Sequence, residues 1–462
     1  MYPLTHWTGA ELARLRPPSP LGMAFARQGH TPEFSTLPDP QISHLQPPRV
    51  IPVNVYEDAR KAPAWEQAFY TIWMFTIFLP IDAFQPIRNI CIAGLLGMLI
   101  VHRAQALPLI VKAWPLFLLP ILGAFSVFWT PYPAEAPKNA ILLLLTPTLL
   151  VLLAARLRAI EFLRVVMFAA WLGTLYTALF FATLPAGGPY AQKNYLAFHM
   201  MIVILVSLGT FLNEEEPLAL RLVGLAFVPV AFVFQYIAGS ATSLVFAVVG
   251  SALLIMVKLV WGGVSKVRHM RSMALTLLAT SVLVIAITVL SLPNNTMVDD
   301  FFALVGKDST LTGRTAIWEA AERVSADHPW FGVGINGFWN PMTGIAQTLN
   351  ENDHKPFGTA LSFHSAFWEV RVHYGLVGLG FFILAVTWAG LRTVGLWLRE
   401  GSVANSILLV MFTVILVSCF TESYAAGFHS MMVYFLYYGG LAAFGIGERK
   451  FVGVGKLVEH TA

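Results

Sequence analysis

Runs of roughly 17–22 apolar residues recur along this chain, each long enough to cross a hydrocarbon layer about 30 Å thick. A chain written this way has few folds open to it, because every backbone N–H and C=O inside lipid needs a partner within the protein. A transmembrane barrel would show roughly ten-residue segments of alternating polarity, whereas these runs are apolar all round. The fold class is therefore an all-α polytopic membrane protein. Composition agrees: 57% of the 462 residues are hydrophobic and only 12% are charged, about half the usual charged share.

About twelve spans can be drawn, with cores near 67–83, 89–101, 113–129, 139–154, 163–184, 195–212, 220–237, 241–260, 273–291, 366–391, 405–421 and 430–447. Pro115, Pro120 and Pro147 interrupt the third and fourth, which packing between helices can accommodate. The stretch 1–65 lacks an apolar run and carries Pro17-Pro18, Pro38, Pro40 and Pro47-Pro48, so it reads as a disordered cytoplasmic tail with no signal-peptide core. The remaining divisions are helices one to nine over 66–291, a large periplasmic loop over 292–364, helices ten to twelve over 365–447, and a cytoplasmic C-terminal tail over 448–462. Cys91 and Cys419 both fall inside apolar runs and read as small core residues, not as a disulfide or a metal site.

Lys and Arg positions orient the chain. With both termini in the cytoplasm, about 21 of the 29 basic residues face inward, and the bias survives removal of the N-terminal tail. One anomaly is Glu214-Glu-Glu216 in an inner turn, although acidic residues count little for orientation. The net charge of +4 is no argument for a nucleic-acid partner in a membrane protein, and none is expected. This orientation sets the long segment between the ninth and tenth spans outside the cytoplasmic membrane. Lys138, Lys307 and Lys355 on that face read as solubilising surface charges.

Several other outward residues have a choice of roles. Asn194 stands where a helix cap should be, just before the sixth span. Lys193 then lies at a helix N-terminus, where the dipole favours an anion. A phosphate would resolve that conflict; a lysine snorkelling to the interface would too. Arg314 falls in the first turn of an amphipathic helix capped by Thr312 or Ser309, with Ile317, Ala320, Ala321 and Val324 as its apolar stripe. Its fork suits a phosphate, or a packed ion pair. Trp318, four residues on, suits an interfacial position.

His364 lies at the outer mouth of the tenth span. If the helix runs through it, spacing of about 100° per residue puts Trp368 and Arg371 on its face, while Glu369 and His373 pair with each other. It can act as a proton acceptor, or merely cap or hydrogen-bond at the interface. His354, His364 and His373 lack the compact spacing of a metal site, and no metal is expected. Gly332-Val-Gly-Ile-Asn-Gly337 matches the dinucleotide fingerprint in letters only, with no strand before it and no βαβ unit around it. Its glycines read as turn formers.

Thr312-Gly-Arg-Thr-Ala-Ile-Trp318, His328-Pro-Trp-Phe-Gly-Val-Gly334, and His364-Ser365 followed by Gly375 and Gly378 together resemble the bacterial O-antigen ligase and polymerase family, which includes exopolysaccharide polymerases. Ser365 stands where that family more often has Asn, and the turn ending at Asn194 is similar to the family's Lys-Asn loop. The resemblance covers roughly 67–447. It implies glycosyl transfer on the periplasmic face of the bacterial inner membrane, from an undecaprenyl-diphosphate-linked oligosaccharide, with inversion and without metal or other cofactor. His364 is then the general base. Arg314, Lys193 and Arg371 neutralise the diphosphate, and Asn194, Ser365 and Trp318 support them. The exopolysaccharide-like 311–318 run favours a polymerase over a ligase acting on lipid A core. A transporter or flippase of lipid-linked glycan is the reading from another class, and its midplane ionisable groups are scarce here. Chain-length regulators are partners implied by the resemblance alone.

Overall fold

The computed structural model describes residues 49–58, 62–190, 192–264, 273, 276, 314–352, 354–359, 361–426, 430–444 and 449–459. The described residues divide into a terminal unit, 49–55 with 453–459, and a large unit that lies within 56–452. β1 (Arg49–Asp58) and β2 (Arg449–Glu459) pair as a two-stranded sheet. Val50, Ile51, Val53, Val55 and Tyr56 give β1 the branched and aromatic content that strands favour. β1 falls within 1–65, the stretch expected to be a disordered tail; 1–48 lie outside the described residues.

The large unit is helical. α1 (Ala64–Phe78), α2 (Gln85–Val101), α3 (Arg103–Lys112), α4 (Pro115–Phe125), α5 (Ala136–Arg156) and α6 (Ala159–Ala178) come first. α7 (Lys193–Leu212), α8 (Leu218–Ala238) and α9 (Ala241–Val264) follow. α10 (Arg314–Asp327) and α11 (Gly344–Asn352) occupy the long segment ahead of α12 (Ala366–Glu400), α13 (Val403–Ser418) and α14 (Met431–Ala442). Seven of these are long and apolar enough to cross a membrane: α2 with the short turn before it, and α5, α6, α7, α8, α9 and α12. α3 and α4 together make an eighth only as a broken pair, bent by 86°. The chain is thus a polytopic helical membrane protein. The ninth expected span, 273–291, lies outside the described residues except for Met273 and Thr276.

The break between α3 and α4 departs from the sequence expectation, which left 103–112 as a connection and began a single third span at 113. Pro115 has no N–H to continue a helix, so it starts a new one at its favoured first-turn position. α13 and α14 are apolar but short, at 16 and 12 residues.

α7 is the most enclosed span, and α6, α8, α9 and α13 pack around it. Large apolar side chains on α8, such as Val230, Val233 and Tyr236, stay exposed; in a membrane protein that is the face lipid covers. At the C-terminal end of α7 the Glu214–Glu216 anomaly resolves. Glu216 pairs with Arg164 at 2.8 Å, and Glu214 with Lys258 at 2.8 Å. At the same expected face, the buried Glu66 carboxylate accepts two hydrogen bonds of 2.8 Å from Arg156 and a third from Tyr70.

α12 is broken inside. Gly375 adopts φ +64 and ψ −162, which a helix cannot accommodate. The glycine-rich loop after α10 repairs the gap. Val333 N–H donates to the Val372 carbonyl at 3.0 Å and Gly334 N–H to the His373 carbonyl at 2.9 Å. In return, the carbonyls of Pro329 and Trp330 accept from Leu376 N–H (2.8 Å) and Val377 N–H (3.1 Å). The backbone groups released by the break therefore find partners within the protein, as a low-dielectric surround demands. Gly332 and Gly375 each face backbone at distances that leave no room for a Cβ, and both have left-handed φ.

Candidate active site

The ends of these elements surround a cavity of about 900 Å³, at the upper end of the range for small-molecule sites. One wall is the segment leading into α7, with Gln192, Lys193, Asn194 and Tyr195. A second is the glycine-rich segment and the residues after it, with Ile335, Asn336 and Trp339. Lys355, Thr359, Leu361, Ser362 and His364 close a third side; the first turns of α12 contribute Glu369 and His373. Ser423 and Tyr424, after α13, complete it.

Each wall is held by specific contacts. The Ser126 hydroxyl accepts from Ile335 N–H at 2.8 Å, and the Thr130 hydroxyl donates to the Ile335 carbonyl at 2.9 Å. α11 fixes the next loop, with Gln347 Oε1 accepting from Gly358 N–H at 2.9 Å and Asn350 Nδ2 donating to the Thr359 carbonyl at 2.9 Å. The apolar stripe expected on α10 is present: Ala320, Ala321 and Val324 are buried against Phe338, Phe363 and Val372, with Ile317 beside them. Trp318 Nε1 donates to the Phe363 carbonyl at 2.7 Å. That bond ties α10 to the residue next to His364. The expected caps Thr312 and Ser309 lie outside the described residues, as does Lys307.

His364 is not part of α12. Its φ is +48, and the helix begins at Ala366 with Ser365 as cap, whose hydroxyl accepts from Trp368 N–H at 3.5 Å. The helical-wheel argument linking His364 to Arg371 therefore fails. Arg371 lies over the Trp368 ring, 5.2 Å from its centre, and does not line the cavity. The expected Glu369–His373 association is present, with 3.7 Å between Glu369 Oε1 and His373 Nδ1.

What faces His364 is a residue that sequence reasoning passed over. Glu422, only 2% exposed, directs Oε2 to His364 Nδ1 at 3.4 Å and Oε1 to an Arg314 guanidinium nitrogen at 3.0 Å. Arg314 is itself 6% exposed and donates a second bond, of 2.7 Å, to the Thr421 carbonyl. The packed ion pair left open for Arg314 is the arrangement found, and its guanidinium is not on the cavity wall. Glu422 sits at the edge of an apolar run, 58 residues from His364, where no local spacing announced it. Beside it, burial first and the Glu422 carboxylate second push the Tyr424 phenol well above its ordinary pKa. Tyr424 therefore stays neutral.

The structure brings Lys193 and Asn194 to the cavity with His364. α7 begins at Lys193, with Gln192 in the cap position, so Asn194 belongs to the first turn and is not the cap. Lys193 is solvent-exposed at that helix end. Lys355, expected to be plain surface, also faces the cavity. Ser365 is buried and knits α12 to the end of α13: its N–H donates to Ser423 Oγ at 3.1 Å, and Ala366 N–H to the Cys419 carbonyl at 2.8 Å.

Comparison with known proteins gives two matches. The family described as O-antigen ligase matches over residues 225–383, a stretch that includes Arg314, Trp318, His364 and Ser365. The exopolysaccharide production protein ExoQ of Rhizobium meliloti (strain 1021) is 29% identical over 280 residues, 57% of this chain. The match spans 61% of that relative's length.

Proposed function

We propose, from the similarity to the O-antigen ligase family and to ExoQ, that this protein is a membrane glycosyltransferase of surface-polysaccharide assembly. Its donor is an undecaprenyl-diphosphate-linked oligosaccharide, used on the periplasmic face of the inner membrane. It most resembles a polymerase of repeat units, since the curated relative is an exopolysaccharide production protein. The observation that carries the proposal is the large outer cavity, bordered by Lys193 and by a histidine backed by a buried carboxylate.

The chemistry follows from that arrangement. With Nδ1–H donating to Glu422, the His364 tautomer leaves Nε2 as an acceptor. The acceptor sugar's hydroxyl oxygen bonds to the anomeric carbon of the donor, and its proton passes to Nε2. The bond from that carbon to the diphosphate oxygen breaks, and the electron pair leaves with the polyprenyl diphosphate. One displacement inverts the anomeric centre. Glu422 stabilises the imidazolium as it forms, as the buried carboxylate does in serine hydrolases. Arg314 holds the Glu422 side chain in place. Lys193, with the free N–H groups at the start of α7, offsets charge on the departing diphosphate, and Lys355 stands on the same rim.

The test is elongation by the purified protein in detergent of a lipid-diphosphate-linked oligosaccharide repeat. Longer lipid-linked products support the reading, and detergent removes transport as an explanation because it has no sides. Wild-type protein that leaves the repeat unextended contradicts it.

A further inference from the structure

We propose that Asn336, Trp339, Glu369 and His373 form the subsite for the acceptor sugar, a place for a neutral polyol and not for the diphosphate. The inference rests on the glycosyl-transfer reading and adds where the second substrate lies. All four residues line the cavity.

Hydrogen-bond bookkeeping identifies what this wall wants. Glu369 spends Oε2 on Phe363 N–H, at 3.1 Å. Its Oε1 is 3.7 Å from His373 Nδ1, too long for a hydrogen bond. His373 Nδ1 instead lies 2.8 Å from the Glu369 carbonyl, so it carries the proton and donates there. Two acceptors on these lining residues are thus left without a hydrogen bond among the described residues, a carboxylate oxygen and the His373 Nε2. Acceptors of this kind need donors. Sugar hydroxyls supply them, whereas a diphosphate brings only more acceptors and a charge that Glu369 repels.

The remaining two residues suit the same ligand. Trp339 packs against Phe338 and Phe363, with ring centres 4.7 and 4.8 Å away. Those neighbours fix its ring, and a rigid aromatic face suits the C–H face of a pyranose. Its Nε1 is buried and has no protein partner among the described residues. Asn336 holds φ +56 and offers an amide that both donates and accepts. The wall also meets the proposed base through one residue. Phe363, whose N–H Glu369 holds, directly precedes His364. Glu369 and His364 line the same cavity, so a hydroxyl held at Glu369 shares that space with the imidazole that is to take its proton.

The experiment titrates two probes into the detergent-purified full chain: the oligosaccharide repeat released from the producing cell's own polymer, and pyrophosphate. Glu369→Gln keeps an acceptor for Phe363 N–H but loses the charge; Trp339→Leu keeps bulk but loses the ring. Each variant should weaken oligosaccharide binding about tenfold or more and leave pyrophosphate binding no weaker than in wild type. Wild-type oligosaccharide affinity in Trp339→Leu overturns the subsite, whether or not Glu369→Gln stays folded, and so does a wild-type protein that binds no oligosaccharide. Loss of binding in the variants, together with a wild type that elongates nothing, would keep the sugar site and contradict the transfer reading alone.

Discussion

At the scale of single residues, the account rests on Glu422 and on the two groups it joins. Glu422→Gln preserves size but removes the charge that stabilises a His364 imidazolium. It should lower the turnover rate by about a hundredfold or more while leaving lipid-diphosphate binding near wild type, since general-base assistance typically contributes about 10²–10⁴-fold. Arg314→Lys cannot reach both Glu422 and the Thr421 carbonyl with a single ammonium. It should lower both activity and melting temperature, with the stability loss about 1.5–3 kcal/mol for a weakened charged hydrogen bond. His364 calls for a particular substitution. Its backbone is left-handed, a conformation Asn tolerates better than Ala, so His364→Asn removes the base with the least structural disturbance. Of these residues, His364 and Arg314 were legible in the sequence as polar groups beside an apolar span. Glu422 was not, because its partners are brought to it only by the packing of α10 and α12 against the end of α13. Arg371 does not line the cavity, for a related reason: a helical wheel presumes a helix, and the chain turns the other way at His364.

At the scale of elements, the glycine-rich loop and the broken α12 act as one structure. A Cβ on Gly375 would collide with the backbone of Trp330 and Phe331 and is strained at φ +64. Gly375→Ala should therefore destabilise the protein by more than the roughly 1 kcal/mol at stake in an ordinary Gly-to-Ala exchange. Thermal unfolding in detergent measures it, and the same substitution at Gly380, which has open space around it, is the control. The sequence announced that these glycines make turns. It could not announce that one turn repairs a helix forty residues later, because that pairing lies in backbone hydrogen bonds that any residue types can make. The helices were more legible: each described expected span overlaps a helix, since apolar length is a local property, although only seven of these helices are long and apolar enough to cross a membrane. α3 was not, because a helix that lies across its successor at 86° carries no uninterrupted apolar run.

At the scale of the whole molecule, α7 sets the distance between two differently charged ends. Its 20 residues span about 30 Å, from Lys193 at the cavity to the turn where Glu214 and Glu216 find basic partners. If the cavity opens outward, a cysteine at Lys355 should react with an impermeant maleimide in intact spheroplasts, and one at the exposed Glu215 only after lysis. The reverse pattern would invert the topology. Cys91 and Cys419 are buried and should stay silent in both cases.

The central claim is that the cavity transfers a glycan from a lipid diphosphate, with His364 taking the proton under the hold of Glu422. The most direct measurement is chain elongation of a lipid-diphosphate-linked repeat by equal amounts of folded wild type, His364→Asn and Glu422→Gln. The account predicts long products from wild type, essentially none from His364→Asn, and a rate about a hundredfold lower or more from Glu422→Gln. Elongation by His364→Asn at the wild-type rate would contradict it.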